Sequence, residues 1–274
     1  MRNFDLTPFQ PVYIDDLLRL GKDNDGGYVV PGIAVSSSTA LLSLGVNLDW
    51  SFEESMLEMR PGLKLLCVDG TTGLGRAITK TFQKIFDFLG HLITLDFIKA
   101  KSDFSFLATP IRFYKFFSKY PLLKLMVGEG NKEGYIDIVQ LIAQYFPKAE
   151  NIFIKMDIEG GEYEVLPIAP SVSRSLSGLV IEFHSIDKNW TQFQMIMLDL
   201  MESFYVAHIH GNNYQSYISG TKVPQTVEVT FVSKKFFQSK PPLSDKVYPV
   251  EGLDMPCNPK YPDLSIAFSR QSAC

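Results

Sequence analysis

One short stretch, Lys155-Met156-Asp157-Ile158-Glu159-Gly160-Gly161-Glu162-Tyr163, carries carboxylates at Asp157, Glu159 and Glu162 and opens into a glycine turn. Asp157 follows an apolar run, Asn151 to Met156, that reads as a buried strand. A carboxylate there is costly unless something pairs with it, which argues for a site rather than a solvated turn. Glu182 and His184 stand two residues apart at the end of another apolar run and share a face if the chain is extended. His210 and Asn212 follow in His208-Ile209-His210-Gly211-Asn212-Asn213, and Glu228 lies at the start of the last apolar run. Two chemistries suit such a set. His184 acts directly as a general base, since an imidazole titrates near neutrality. Alternatively, Asp157 and Glu182 hold a divalent cation that lowers the pKa of a bound hydroxyl. Oxygen ligands alone favour Mg2+, and adding His184 or His210 favours a transition metal. The metal-free option is preferred, because carboxylates at strand ends also bind ammonium groups and sugar hydroxyls.

The elements that must position these groups are short apolar runs alternating with amphipathic stretches. Strands are expected at 41–46, 64–69, 122–128, 151–157, 178–184, 204–210 and 226–233, each rich in Val, Ile or Phe and bounded by turn formers. Ile136, Val139, Ile142 and Phe146 mark one helical face, stopped by Pro147. Trp190, Phe193, Met197, Leu200 and Phe204 mark another, with Asn189 as N-cap. Strands alternating with helices imply a mainly parallel sheet covered on both sides. The last two strands lack a helix between them and should pair antiparallel. Ligands of such sheets bind beyond the carboxyl ends of the strands. Gly45 ends the first strand, where a ligand can approach its backbone, and Asp69 ends the second, placed to accept both hydroxyls of a ribose. Residues 1–35 form a lead-in with a turn at Asp25-Gly26-Gly27. The Phe- and Lys-rich stretch 76–121 reads as a helical insertion over the open edge of the sheet, as extra core or as a lid over a substrate pocket.

Composition narrows the class. Lys and Arg number 26 against 30 Asp and Glu, a net charge of −4 that argues against a nucleic-acid binder. Three widely spaced cysteines, Cys67, Cys257 and Cys274, suit a reducing compartment better than a disulfide framework. Met1 to Gln10 lacks the apolar core of a signal peptide, and the most apolar candidate span, Ile85 to Ile98, is broken by Asp87, His91 and Asp96. The expectation is a soluble cytoplasmic protein of one domain, residues 1–274, with no membrane span.

Seven segments together carry a family resemblance: DGGYVV (25–30), LLSLGVNLDWSFE (41–53), LCVDGT (66–71), KMDIEGGEYEVL (155–166), LVIEFH (179–184), HIHGNN (208–213) and VEVTF (227–231). The chain resembles S-adenosylmethionine-dependent methyltransferases of the FkbM type, over nearly its whole length except 76–121. It is most similar to the branch with an SFG-x-x-x-D-x-SFE first loop. The resemblance implies a Rossmann-like class I methyltransferase, an α/β doubly wound sheet of order 3-2-1-4-5-7-6 with an antiparallel seventh strand. It also implies S-adenosylmethionine as cofactor and methyl transfer to a hydroxyl oxygen on a sugar or other small-molecule acceptor. The cofactor side is assigned to Gly27, Gly45, Asp49, Asp69, Gly128 and Asp157, and the acceptor side to Glu159, His210, Asn212 and Glu228. Catalysis is assigned to His184, Asp157 and Glu182, the last two doubling as ligands should Mg2+ or another divalent cation bind; a homo-oligomer is left open. Two rival readings stand beside this one. A nucleotide-binding oxidoreductase would use Asp69 to Gly75, but that spacing is not G-x-G-x-x-G and follows the second strand. A non-catalytic scaffold on the same fold draws on the lone Gly45 of the first loop.

Overall fold

The computed structural model describes residues 4–93, 107–130, 132–166, 168 and 170–268. Its strands are β1 (Leu17–Leu20), β2 (Tyr28–Pro31), β3 (Ala40–Leu44), β4 (Lys64–Val68), β5 (Leu122–Leu123), β6 (Met126–Val127), β7 (Tyr135–Ile136), β8 (Ile152–Met156), β9 (Leu176–Phe183), β10 (Phe204–Gly211) and β11 (Val227–Ser233). The central sheet has seven strands in the order β5-β4-β3-β8-β9-β11-β10. Within it β4, β3, β8 and β9 run parallel, while β11 is antiparallel to both β9 and β10. This is the doubly wound α/β order expected above. The third strand is shorter than expected: only Leu122–Leu123 joins the sheet, and Met126–Val127 turns away to pair with Tyr135–Ile136.

The strands read as near-continuous apolar runs because both faces are covered. On one face, Leu42, Leu44, Ile154, Met156, Leu179 and Ile181 pack against the helices Ile138–Tyr145 and Trp190–Ser203. The buried stripe of the first of these helices is Ile138, Leu141 and Ile142; Val139 is exposed and Ile136 belongs to β7, so the expected face is rotated. Asp137 caps it, accepting from the N–H groups of Val139 and Gln140. Asn189 does occupy the N-cap position of the second, but its side chain donates to Ser185 instead of capping.

On the other face, Leu41, Leu65, Cys67, Phe153 and Val180 meet a layer made by the β1–β2 hairpin and the helices Gly32–Ser37, Ser51–Met59 and Thr109–Phe117. Trp50 stacks on Phe116 and meets Phe113 and Phe117 edge-on, which anchors the Thr109–Phe117 helix. Of the stretch 76–121, helices cover Leu74–Ile93 and Thr109–Phe117, and 94–106 lies outside the described residues. The lead-in is more than a lead-in. Its hairpin lies across β11, fixed by the Thr230 hydroxyl donating to the Val29 carbonyl, and so carries Tyr28 to the carboxyl edge of the sheet.

Candidate functional site

Pairing across the sheet sets one row of chemistry. Glu228 lies opposite Glu182, and His210 opposite Glu228. Met156 pairs with Ile181, so Asp157 falls beside Glu182. His184 and Asn212 project from the same face two residues further along. Within this row Asp157, Glu182 and His184 close into one group, with donor atoms within 4.8 Å of one another.

His184 is held by a residue of the glycine turn. The Glu162 carboxylate is wholly buried; its Oε1 accepts the N–H groups of Ile158 and Gly160 and lies 3.1 Å from His184 Nδ1. Nε2 is thereby turned toward Glu182 Oε1 at 3.5 Å, Glu159 Oε2 at 3.6 Å and Asp157 Oδ1 at 3.9 Å. Burial alone would lower the imidazole pKa, but the Glu162 hydrogen bond and the charges of Glu182, Glu162 and Asp157 outweigh it and raise it to about 9. With no cation bound, the facing carboxylates keep the proton on His184 to higher pH than an ordinary imidazole would hold it. The ordinary imidazole range, the expectation from the sequence, is shifted upward here by these neighbours. Burial, together with Asp157 and Glu228, pushes the Glu182 carboxyl well above the usual range, against partial relief from His184 and from the Asn212 amide at 2.7 Å.

A second polar layer lies below. The Lys155 ammonium is buried and donates to the Gly45 carbonyl at 2.6 Å, with Asp157 Oδ2 at 3.8 Å. Burial disfavours its charge, yet Asp157, Glu53 and Glu182 outweigh this and raise its pKa. Buried Glu53, reached from the Ser51–Met59 helix, accepts from the Ser43 hydroxyl, while the Tyr28 hydroxyl donates to Asp157 Oδ2 at 3.2 Å. Gly45 has a structural duty besides the one expected. At φ +75°, a Cβ there would lie 1.7 Å from the Asp157 carbonyl oxygen, so the glycine lets β3 and β8 end side by side. The backbone it admits is Asp157's own.

Two cavities open at this edge. One, of about 490 Å3, lies over β3, β4 and the glycine turn, with Asp69, Arg76, Leu125, Met126, Val127 and Ile158 among its walls. The other, of about 410 Å3, is lined by Tyr28, Asp49, Glu53, Lys155, Glu182 and His184 among others. They meet at Asn47, Asp157 and Glu159, which line both. Asp69 spans the first cavity's rim. Its Oδ1 accepts from the Thr71 and Thr72 N–H groups and the Thr71 hydroxyl, and its Oδ2 from the Asn47 N–H at 2.7 Å. Burial would raise this carboxyl, but those hydrogen bonds hold it below its ordinary pKa.

The expected residues therefore divide. Gly45, Asp69 and Asp157 line the first cavity, while Asp49 lines the second, where it pairs with Lys22. Gly27 and Gly128 line neither; a Cβ on them would meet Lys22 and Tyr135 respectively. Glu159 and Asn212 do face the acidic cavity. His210 and Glu228, expected on the acceptor side, do not. His210 is clamped between Glu228 at 2.9 Å and Asp263 at 2.9 Å, and Cys257 donates to Glu228 at 3.3 Å. Beside them His208 pairs with Asp254 at 2.8 Å. These contacts pin the C-terminal segment onto β10 and β11. Cys67 and Cys257 are free and buried, and Cys274 lies outside the described residues. No helix among the described residues is long and apolar enough to cross a membrane.

No protein-family model and no curated protein matches the chain. Among solved structures, it is similar to precorrin-6y C5,15-methyltransferase from Geobacter metallireducens GS-15, with 11% identity over 74% of this chain and 86% of that one, TM-score 0.34. A chain of a fibrillarin/Nop5p complex aligns at 10% identity over 72% and 73%, TM-score 0.32. The mitomycin 7-O-methyltransferase MmcR aligns at 11% identity over 72% and 50%, TM-score 0.28.

Proposed function

We propose that the chain is an S-adenosylmethionine-dependent methyltransferase acting on a hydroxyl of a sugar or other small polar molecule. The observation that carries this reading is the meeting of two unlike cavities at Asp157. One has an aspartate at the end of the second strand and a wall of Leu125, Met126 and Val127, which suits a ribose and a flat base. The other is a small acidic cleft. The residues fit the cofactor. Asp69 Oδ2 accepts one protein hydrogen bond and keeps a lone pair for a ribose hydroxyl. Asn47 and the glycine turn at Gly160-Gly161 bound the space toward Asp157. When bound, the cofactor supplies an electrophilic methyl group. The chain's own residues then have three tasks: to align the acceptor oxygen, exclude water and take up the hydroxyl proton. Alignment falls to Glu159, Asn212 and Tyr28 around the cleft, and proton uptake to the Asp157–Glu182–His184 group. That group supports an oxygen acceptor in this reading, since its carboxylates lie where the two cavities join and can take up a hydroxyl proton.

Calorimetry with S-adenosylmethionine, S-adenosylhomocysteine and NADH tests this reading. Binding of both sulfur ligands and not of NADH is expected. NADH binding alone would favour an oxidoreductase, and no binding of any of them a scaffold.

A further inference from the structure

We infer that Asp157, Glu182 and His184 form a binding site for one divalent transition-metal cation, with His184 Nε2 and one oxygen from each carboxylate as ligands. The methyl-transfer reading bears on what the cation would do, not on whether it binds. Among the described residues, two groups of three His, Asp, Glu or Cys bring their donor atoms within 4.8 Å of one another. They differ in a telling way. In the His210–Glu228–Cys257 group the gaps have closed to hydrogen bonds of 2.9 and 3.3 Å, so its donors satisfy each other. In the Asp157–Glu182–His184 group they have not. His184 Nε2 has no hydrogen-bond partner among the described residues, although three carboxylates face it at 3.5 to 3.9 Å.

Those gaps are long for hydrogen bonds and short for unrelated charges. Donors about 2.1 Å from a shared cation stand about 3.4 Å apart in tetrahedral geometry and about 3.0 Å apart in octahedral geometry. The supporting contacts agree. Glu162 takes the Nδ1 side of the ring, the carboxylate-to-histidine arrangement that fixes a metal-binding tautomer. Asn212 and Tyr28 orient Glu182 and Asp157. Two oxygens and one imidazole suit Mn2+, Fe2+ or Zn2+ better than Mg2+. The ligands come from one side, β8 and β9, leaving the side toward Asn47 and the second cavity open for an acceptor oxygen.

The test is calorimetric titration of the chelator-treated full chain with MnCl2, ZnCl2 and MgCl2, without cofactor. One Mn2+ or Zn2+ per chain is expected, with Mg2+ at least about ten-fold weaker. His184→Ala and Glu182→Gln should each weaken Mn2+ binding at least ten-fold, by the scale on which even outer partners matter, while Cys257→Ser should leave it unchanged. Should those variants fail to fold, pulsed electron paramagnetic resonance of the Mn2+-loaded wild type decides: imidazole nitrogen coupling is expected. The inference is overturned by no Mn2+ or Zn2+ binding, by binding that survives both substitutions or is lost with Cys257→Ser, or by absent nitrogen coupling. A parallel titration with S-adenosylhomocysteine separates the two claims. Cofactor binding without metal leaves the function standing and removes the cation; metal binding without cofactor does the reverse.

Discussion

Glu162 Oε1 and His184 Nδ1 lie 3.1 Å apart, which ties the glycine turn after β8 to the end of β9. The same oxygen accepts the N–H groups of Ile158 and Gly160, so one buried carboxylate shapes the turn and sets which histidine nitrogen faces the cleft. Glu162→Gln keeps an acceptor for the turn but removes the charge beside the ring. The His184 pKa should then fall from about 9 toward 6.5, measured by NMR titration of the imidazole protons in chelator-treated protein. An unchanged value would show that Glu162 does not control the ring.

Lys155 is the buried cation between Glu53 and Asp157. Lys155→Met leaves those carboxylates uncompensated and should cost about 3–5 kcal/mol in urea denaturation. Adding Glu53→Gln should restore part of the loss. A loss under about 1 kcal/mol would show that Lys155 does not neutralise its neighbours.

Gly45→Ala meets both a left-handed backbone and the Asp157 carbonyl. The backbone alone costs about 1–2 kcal/mol, and the contact adds to it, so a loss above about 2 kcal/mol is expected. Full stability would show that the strand ends can separate freely.

Asp69→Ala should weaken S-adenosylhomocysteine binding by about 1.5–3 kcal/mol through loss of a charged partner. Because Asp69 also holds Asn47, Thr71 and Thr72, a smaller stability loss should accompany it. Unchanged affinity in the folded variant would make Asp69 a turn residue only.

The C-terminal segment should respond to pH on both sides. Burial lowers the His210 pKa, but Glu228 and Asp263 raise it well above 6.5. Its stabilisation is thus complete below pH about 6.5 and is lost as pH rises through the raised value. Burial would raise the Asp254 pKa, but His208 and His210 hold it below 3.8, so its contribution is present above that value and is lost in acid. Hydrogen exchange over residues 254–263 should quicken at both extremes while β8 and β9 stay protected. Uniform exchange across pH would contradict the pinning.

Much of the site was legible because strand ends and a spacing of two are local signals. Asp157, Glu182 and His184 could be placed on one edge from apolar runs and alternation alone. Tyr28 and Glu53 could not, since each reaches the edge across a tertiary contact, Tyr28 from 129 residues away. Glu162 stood in plain sight among the turn carboxylates, but its inward course depends on the single helical turn Glu162–Val165. His210 and Glu228 were put at the edge of the sheet they occupy, but in the wrong surroundings. The segment that covers them, carrying Asp254, Cys257 and Asp263, is irregular and has no periodicity to reveal where it lies. The third strand was overextended because Leu122 to Gly128 is apolar throughout except Lys124, yet its second half pairs outside the central sheet.

The most direct measurement is a crystal structure of the full chain with S-adenosylhomocysteine. The expected result has the ribose at Asp69, the base against Leu125, Met126 and Val127, and the sulfur beside Asp157 facing the acidic cleft. Ligand density elsewhere, or a bound ligand whose sulfur lies away from the junction of the two cavities, would contradict methyl transfer at this site.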